Sequence, residues 1–282
     1  MVFAKDILTK KYVKVSPADT ISSMIGKMRR LRMHQALVFD ASNYLGMVDR
    51  RFLLTSRIDP AGMKVGNIVK KRSKAKTPFF VPTLRPDSDE TEMCKLMNSA
   101  NTHALPVQDG SKVLGIVKAL DLAEAILDHY PKVACSELST MRITTAHYTD
   151  EIGKALNLMN RRSIEHLPII DDKGKLVGLV AAGNFIEDFT LWNAFSRLRI
   201  PHHASHQGQK KHGYDVGEQV HTLRIPVEQI MSPLVCTTTP SSTLKKAVAC
   251  MQEAQVSSII LARNNKPLGI LTAKDIFKDF TR

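Results

Sequence analysis

Aromatic residues make up only 6% of this chain, and a single tryptophan is among them. Little is therefore available to stack on bases, and no helix-turn-helix or zinc-finger pattern appears. Cysteine is scarce as well. Cys94, Cys135, Cys236 and Cys250 form no C-x-x-C pair and show no metal-ligand spacing, so free thiols in a reducing compartment are expected. There is no P-loop, and no nucleophile stands beside a base and an orienting group, so the chain is not expected to be an enzyme. No apolar run approaches the ~18 residues a membrane span needs. Met1 to Lys11 carries charge where a signal peptide would be apolar. The expectation is a cytoplasmic protein without membrane contact. Acid is the last shortage: 27 Asp and Glu stand against 40 Lys and Arg, a net charge of +13. Such an excess favours polyanionic partners without choosing among nucleotides, nucleic acid and acidic proteins. It concentrates at Lys27, Arg29, Arg30 and Arg32, and again at Lys70, Lys71, Arg72, Lys74 and Lys76.

What the chain does have is ordinary globular composition and enough length for two domains. It also repeats itself. Pro17, Met28 and Gly46 recur at identical spacing as Pro86, Met97 and Gly115, and once more as Pro240, Met251 and Gly269. A further copy places Tyr148 in the proline slot, then Met159 and Gly178, with one extra residue before the glycine. Repeats of this length are small folded units in themselves.

The fourth copy shows the local logic. Val235 to Thr239 suits a short strand, and Pro240, Ser241 and Ser242 suit a turn and helix N-cap. Leu244, Val248 and Met251 then form one apolar stripe of a helix. Ser258 to Ala262 reads as a buried strand, Asn264-Asn265 as a hairpin turn, and Pro267 to Leu271 as the returning strand. Gly269 there suggests a close approach to the backbone. Asp275 to Phe280 begins a closing helix. A β-α-β-β-α unit exposes an apolar helical face that it cannot cover alone, so packed pairs are expected. The division falls near Tyr130-Pro131. Between copies three and four, Phe185, Phe189, Trp192 and Phe195 form an aromatic stripe, followed by a basic, His-rich loop at 201–223. Its histidines match no ordered metal site, and no metal is expected.

These residues resemble the CBS domain, whose signature is a Leu-Pro-Val strand, a turn, then Gly-Ile-Val-Thr-x-x-Asp. Here stand Leu105-Pro106-Val107, Leu167-Pro168-Ile169, Gly115-Ile116-Val117 with Asp121, and Gly269-Ile270-Leu271-Thr272 with Asp275. The resemblance covers nearly the whole chain and implies an α+β fold of four CBS units in two tandem pairs. The first pair is 1–130, with copies at about 5–60 and 64–128; the second is 131–282, with copies at about 135–190 and 224–281. The layout is similar to that of archaeal four-CBS proteins and of the gamma subunit of AMP-activated protein kinase.

The resemblance implies a non-catalytic regulatory module that binds AMP, ADP or ATP in clefts between paired copies and signals to a protein partner. S-adenosylmethionine is a related ligand of the family, and no cofactor is required. In the family the acid closing the motif holds the ribose hydroxyls, and the residue three positions earlier faces the phosphates. Carried over, copy four offers Thr272, Asp275, Lys274 and Ile270, completed by His147, Ile152, Ile164 and His166 of copy three. Copy two offers Asp121, Ile116 and Lys118, completed by Ser16, Met33 and His34 of copy one. Copy three has the weaker pair Ala181 and Asn184, opposite Thr239, Ser257 and Ser258. Copy one has Asp49 and Phe52, which leaves no ribose acceptor, so that cleft should hold no nucleotide. Each of these residues also has a plain structural reading. Asp121 and Asp275 can cap helices, Lys118 can be a surface charge, and His34 and His166 can be core-edge histidines. A second function class remains open: a nucleic-acid-binding protein that uses Lys70–Lys76 and the loop around Lys210 and Lys211. Homodimer formation rests on fold analogy.

Overall fold

The computed structural model describes residues 1–50, 63–69, 81–187 and 224–282. The basic insert at Lys70–Lys76, the loop at 201–223, Phe52, and the stripe residues Phe189, Trp192 and Phe195 lie outside the described residues. Phe185 is described, and it is fully buried in the core of its copy.

The expected β-α-β-β order recurs. Copy one runs through Val13–Val15, Ile21–Arg30, Gln35–Asp40 and Asn43–Asp49. Copy four runs through Thr237–Thr238, Leu244–Ala254, Ser258–Arg263 and Lys266–Thr272, and it closes with the helix Ala273–Phe280. Copies two and three close with Ala119–Ala125 and Ala182–Glu187. In each copy the first strand runs parallel to the front strand of an antiparallel hairpin, though in copy two it shrinks to the single bridge Leu84↔Val107. The hairpin bulges at equivalent places, after Val38, Val107, Ile169 and Leu261.

Three of the four main helices start where a side chain satisfies a free amide. Thr20, Asp89 and Thr243 accept from Ser23, Glu92 and Lys246 N–H groups. The cap in copy four is thus Thr243, one residue past the expected Ser241-Ser242, because those two serines complete the turn after Pro240. Each main helix ends on a left-handed, non-glycine residue: Arg32, Asn101, Ser163 and Gln255 (φ between 46° and 54°). The hairpin turn Asn264-Asn265 is left-handed at both positions, as a two-residue turn of that kind requires.

A second regularity concerns the segments that lead into each copy. A short helix or turn precedes every first strand: Ala4–Ile7, Val65–Ile68, Cys135–Leu138 and Val227–Gln229. Each is hydrogen-bonded to a different copy. Ala4 N–H donates to Ser88 O at 2.9 Å, and Val65 N–H to Asp19 O at 2.8 Å, so copies one and two exchange leads. Copies three and four do the same: Cys135 N–H donates to Ser242 O and Val227 N–H to Asp150 O, both at 2.8 Å. The exchange continues onto the returning strands. Thr9 is bonded both ways to Ile116, Ser232 both ways to Leu179, and Thr140-Met141 pairs with Gly269-Ile270.

The chain forms two compact units. The first comprises Met1–Arg50, the described part of Ala61–Ile143, and Cys236–Arg282; it holds copies one, two and four. The second holds the described part of Thr144–Val235, with its own core around Ile152, Met159, Leu167, Val180 and Phe185. In the first unit the helices of copies two and four share one apolar core, in which Met93, Met97 and Leu122 are buried with Val248, Ile276 and Phe277. At its edge Tyr130 Oη donates to Asp279 Oδ2 at 3.1 Å. Burial and the Asp279 carboxylate both push the Tyr130 hydroxyl's pKa up. Tyr130→Phe should cost about 1 kcal/mol in urea unfolding at neutral pH, the net worth of a half-buried bond to a carboxylate. An unchanged midpoint would mean that water replaces the bond at no cost.

Candidate ligand-binding helix starts and the turn residues beside them

The site follows from the returning strand. Its last residue passes directly into the closing helix, so the third helical residue lies beside the strand end. In copy four this places Asp275 against Thr272, whose backbone N–H and Oγ1 donate to Asp275 Oδ2 at 2.8 and 2.7 Å. Burial pushes the Asp275 carboxyl above its ordinary pKa, against the two Thr272 bonds and Lys278 and Lys274, which act to lower it. Asp275 therefore caps the helix and carries a destabilised negative charge at the same place. Such a charge gains from any donor a ligand brings.

Copy two differs. Lys118 makes no cap bond, and its Nζ stands 3.9 Å from Asp121 Oδ2. Burial raises the Asp121 pKa too, despite that lysine. In copy three Asn184 Oδ1 accepts from Ala181 N–H at 2.8 Å, and its amide donates to Ser232 Oγ of the lead segment at 3.1 Å. In copy one Gln35 Nε2 donates to Asp49 Oδ2 at 2.9 Å, which occupies the carboxylate beside that strand end.

The remaining expected residues fall into two groups. Ser16 and Met33 bond within copy one, Ser16 N–H to Asp19 Oδ2 and Met33 N–H to Met28 O. Thr239 Oγ1 lies 2.9 Å from Ser242 Oγ, and Ser257 leads into the buried Ser258. Ile116 and Ile152 are core residues at 2% and 0% exposure, whereas Ile270 is half-buried. Within the second unit His147 is held by Thr149 Oγ1 on Nδ1 (2.7 Å) and by Asp172 Oδ1 on Nε2 (3.0 Å). Ile164 packs against that unit's core, and His166 opens the strand beside it.

The structure brings together a set only partly foreseen. His34 packs on its repeat-equivalent His103, with ring centroids 5.5 Å apart, so copies one and two meet there. The residue two before each is one of the left-handed turn residues. Arg32 Nη1 donates to Gln255 Oε1 at 2.8 Å, and Lys274 Nζ donates to Asn101 Oδ1. Through neighbours in the chain these contacts close a circuit from Lys274 of copy four through Asn101 and His103 of copy two, then His34 and Arg32 of copy one, to Gln255 of copy four. Asn101, His103 and Gln255 are not singled out from the sequence, and Arg32 is named there only as part of a basic cluster. Their signal was there, since each main helix is followed by a polar residue where glycine is the low-cost choice. Among the described residues no cluster of His, Cys, Asp and Glu suits a metal ion.

With this geometry in place, the CBS domain profile matches residues 4–51, 77–128, 135–189 and 227–281. The chain belongs to the CBS domain family. It is 26% identical to an uncharacterized protein of Methanocaldococcus jannaschii, MJ1404, over 97% of its own length and 61% of that protein's. The chain thus spans about three fifths of that relative. Among solved structures it superposes on MJ1225 of the same organism, a proposed archaeal homologue of g-AMPK, with a TM-score of 0.74 at 19% identity, covering 99% and 100% of the two chains. A conserved protein of Pyrococcus horikoshii superposes with a TM-score of 0.60 at 17% identity over 99% of both chains. No described helix is long and apolar enough to cross a membrane.

Proposed function

We propose that this CBS protein is a non-catalytic sensor that binds adenosine nucleotides at its helix-start carboxylates and passes the bound state to a partner. The observation that carries the reading is the copy-four helix start. There a half-buried carboxylate with a raised pKa lies beside Thr272 and Lys274, at the position where the family places its ribose acceptor. Asp121 is the second such carboxylate, with Lys118 beside it for a polyphosphate. The reciprocal lead exchange of copies one and two, both in the first unit, supports that tandem pair as a binding body. Coupling follows because a ligand that favours one arrangement of paired copies shifts the surface a partner sees.

Isothermal titration with AMP, ADP, ATP and S-adenosylmethionine tests this. Micromolar binding is expected, with one site fewer in Asp121→Ala and in Asp275→Ala. Absence of heat from all four ligands would sink the reading and leave the basic surface as the basis of function. Salt-dependent nucleic-acid binding would then be the measurement to make.

A further inference from the structure

We propose that one face of the main helix of copy three, Ile152–Arg162, is a docking groove for an acidic segment of a protein partner. A groove of about 560 Å³ runs along that face, within the second unit. Its walls include Glu151, Lys154, Asn157, Leu158 and Arg161, with Arg224 from the segment that leads into copy four. Positions 154, 157, 158 and 161 follow one another at helical spacing, so they make one stripe down the helix. The volume is that of an ordinary ligand site, but the groove is open and elongated. From Glu151 to Arg161 the helix advances about 15 Å, which an extended peptide covers with about five residues.

The charge favours an acid at each end. Arg224 stands at the helix start, because Ile152 N–H donates to the adjacent Ile225 O at 2.8 Å. Arg161 lies in the last turn. Neither arginine side chain has a hydrogen-bond or ion-pair partner among the described residues. Lys154, by contrast, is tied to Asp150 at 2.6 Å. Leu158 lies between the two arginines along the helix, where it can take an apolar side chain. An arginine fork pairs well with a carboxylate, so the groove selects a segment with an acid, an apolar residue and a second acid at alternate positions. Glu151 opposes an acid at the Arg224 end, which makes Arg161 the stronger anchor.

The cations are particular to this copy. In register, Lys154 and Arg161 correspond to Ser23 and Arg30 in copy one, Glu92 and Ser99 in copy two, and Lys246 and Glu253 in copy four. Copy three alone has a cation at both positions, so the scaffold does not require them. The groove rests on the proposed sensor function only for its purpose, as the surface through which the bound state reaches a partner.

The test is fluorescence anisotropy of the full chain with the labelled peptide Gly-Asp-Ser-Leu-Ser-Asp-Gly, without nucleotide, at about 50 mM salt, where screening is weak. Saturable binding is expected. It should weaken at least tenfold in Arg161→Glu and about threefold in Arg224→Glu. Arg161→Gln should show a smaller loss in the same direction if the glutamate variant folds poorly. The peptide with lysine in place of both aspartates should not bind, and alanine in place of leucine should weaken binding. Arg29→Glu/Arg30→Glu makes the same total charge change as Arg161→Glu/Arg224→Glu, on exposed residues of copy one, and should bind the peptide like the parent. Absence of peptide binding overturns the proposal. Equal losses in the two double variants overturn it as well, since net charge alone would then explain the affinity. Tighter binding of a single-stranded oligouridylate that is lost in Arg161→Glu would give the groove to nucleic acid instead. Peptide binding without nucleotide binding sinks only the sensor reading, and the reverse result sinks only the groove.

Discussion

Gly115→Ala should lower stability by about 3 kcal/mol, combining overpacking with two displaced backbone bonds. A Cβ built on Gly115 would lie 2.6 Å from Thr9 O, 2.8 Å from Leu8 Cδ1 and 3.2 Å from Thr9 C. Two of these atoms are backbone, and Thr9 is held by bonds of 2.8 and 2.9 Å to Ile116. The lead segment has nowhere to go without releasing them. At Gly269 the Cβ meets Met141 Sδ at 2.7 Å and Thr140 O at 3.1 Å, so part of the clash is removed by rotating a methionine. At Gly178 all three nearest atoms belong to the Met231 side chain. Alanine at these two positions should therefore cost less, about 1–2 kcal/mol at Gly269 and about 1 kcal/mol at Gly178. Urea unfolding of the three variants gives the order, and hydrogen exchange at the Thr9 and Ile116 amides reports whether the lead has detached. A Gly115→Ala variant as stable as the parent, or less affected than Gly178→Ala, would falsify the view that these glycines exist to admit the lead segments.

That series bears on how far the sequence could be read. The spacing of Pro, Met and Gly markers placed the copies because each marker answers a local need: an entry dihedral, a buried helical position, a close approach. The hairpins were legible for the same reason, down to the Asn264-Asn265 turn. What approaches each glycine was not legible. Thr9, Thr140, Met141 and Met231 lie far from their glycines in sequence, and Ala4–Ile7 or Val65–Ile68 is too short to show amphipathic periodicity. The lead exchange depends on tertiary contacts that leave little local trace. The turn residues are an intermediate case. A left-handed φ at Arg32, Asn101, Ser163 and Gln255 disfavours a side chain, so polar residues there needed an explanation the sequence alone did not supply. In the first unit the explanation is contact between copies: Arg32 with Gln255, and Asn101 with Lys274.

Asp275→Asn should leave the fold intact while weakening nucleotide binding at that helix start at least tenfold. The reason lies in copy three, where Asn184 occupies the equivalent position and its Oδ1 accepts the strand-end N–H at 2.8 Å. An amide can therefore cap this turn, and the same Asn at 275 can accept from Thr272. It has one acceptor oxygen rather than two, so it cannot take both ribose hydroxyls and the cap bonds. The loss of a charge-assisted bond corresponds to about 1.4 kcal/mol or more, a factor of ten in affinity. Asp275→Ala removes the cap as well and should lose about 1 kcal/mol of stability besides. Protonation gives an independent reading. Burial raises the folded Asp275 pKa above its ordinary value of 3.8, so the native chain holds this proton to higher pH than the unfolded chain. Its contribution to stability is then greatest at acid pH and declines as pH rises from about 3.8 through the raised value. A ligand whose hydroxyls donate to the carboxylate reverses that sense, since it binds the ionised form. Affinity should weaken as pH falls from 7 toward the raised pKa, and in that range binding should release a proton. Titrations in buffers of different ionisation enthalpy measure that release directly. Release in the parent that disappears in Asp275→Asn would place the ligand on this carboxylate. Equal affinity and equal proton release in the two proteins would mean that Asp275 is a helix cap and nothing more.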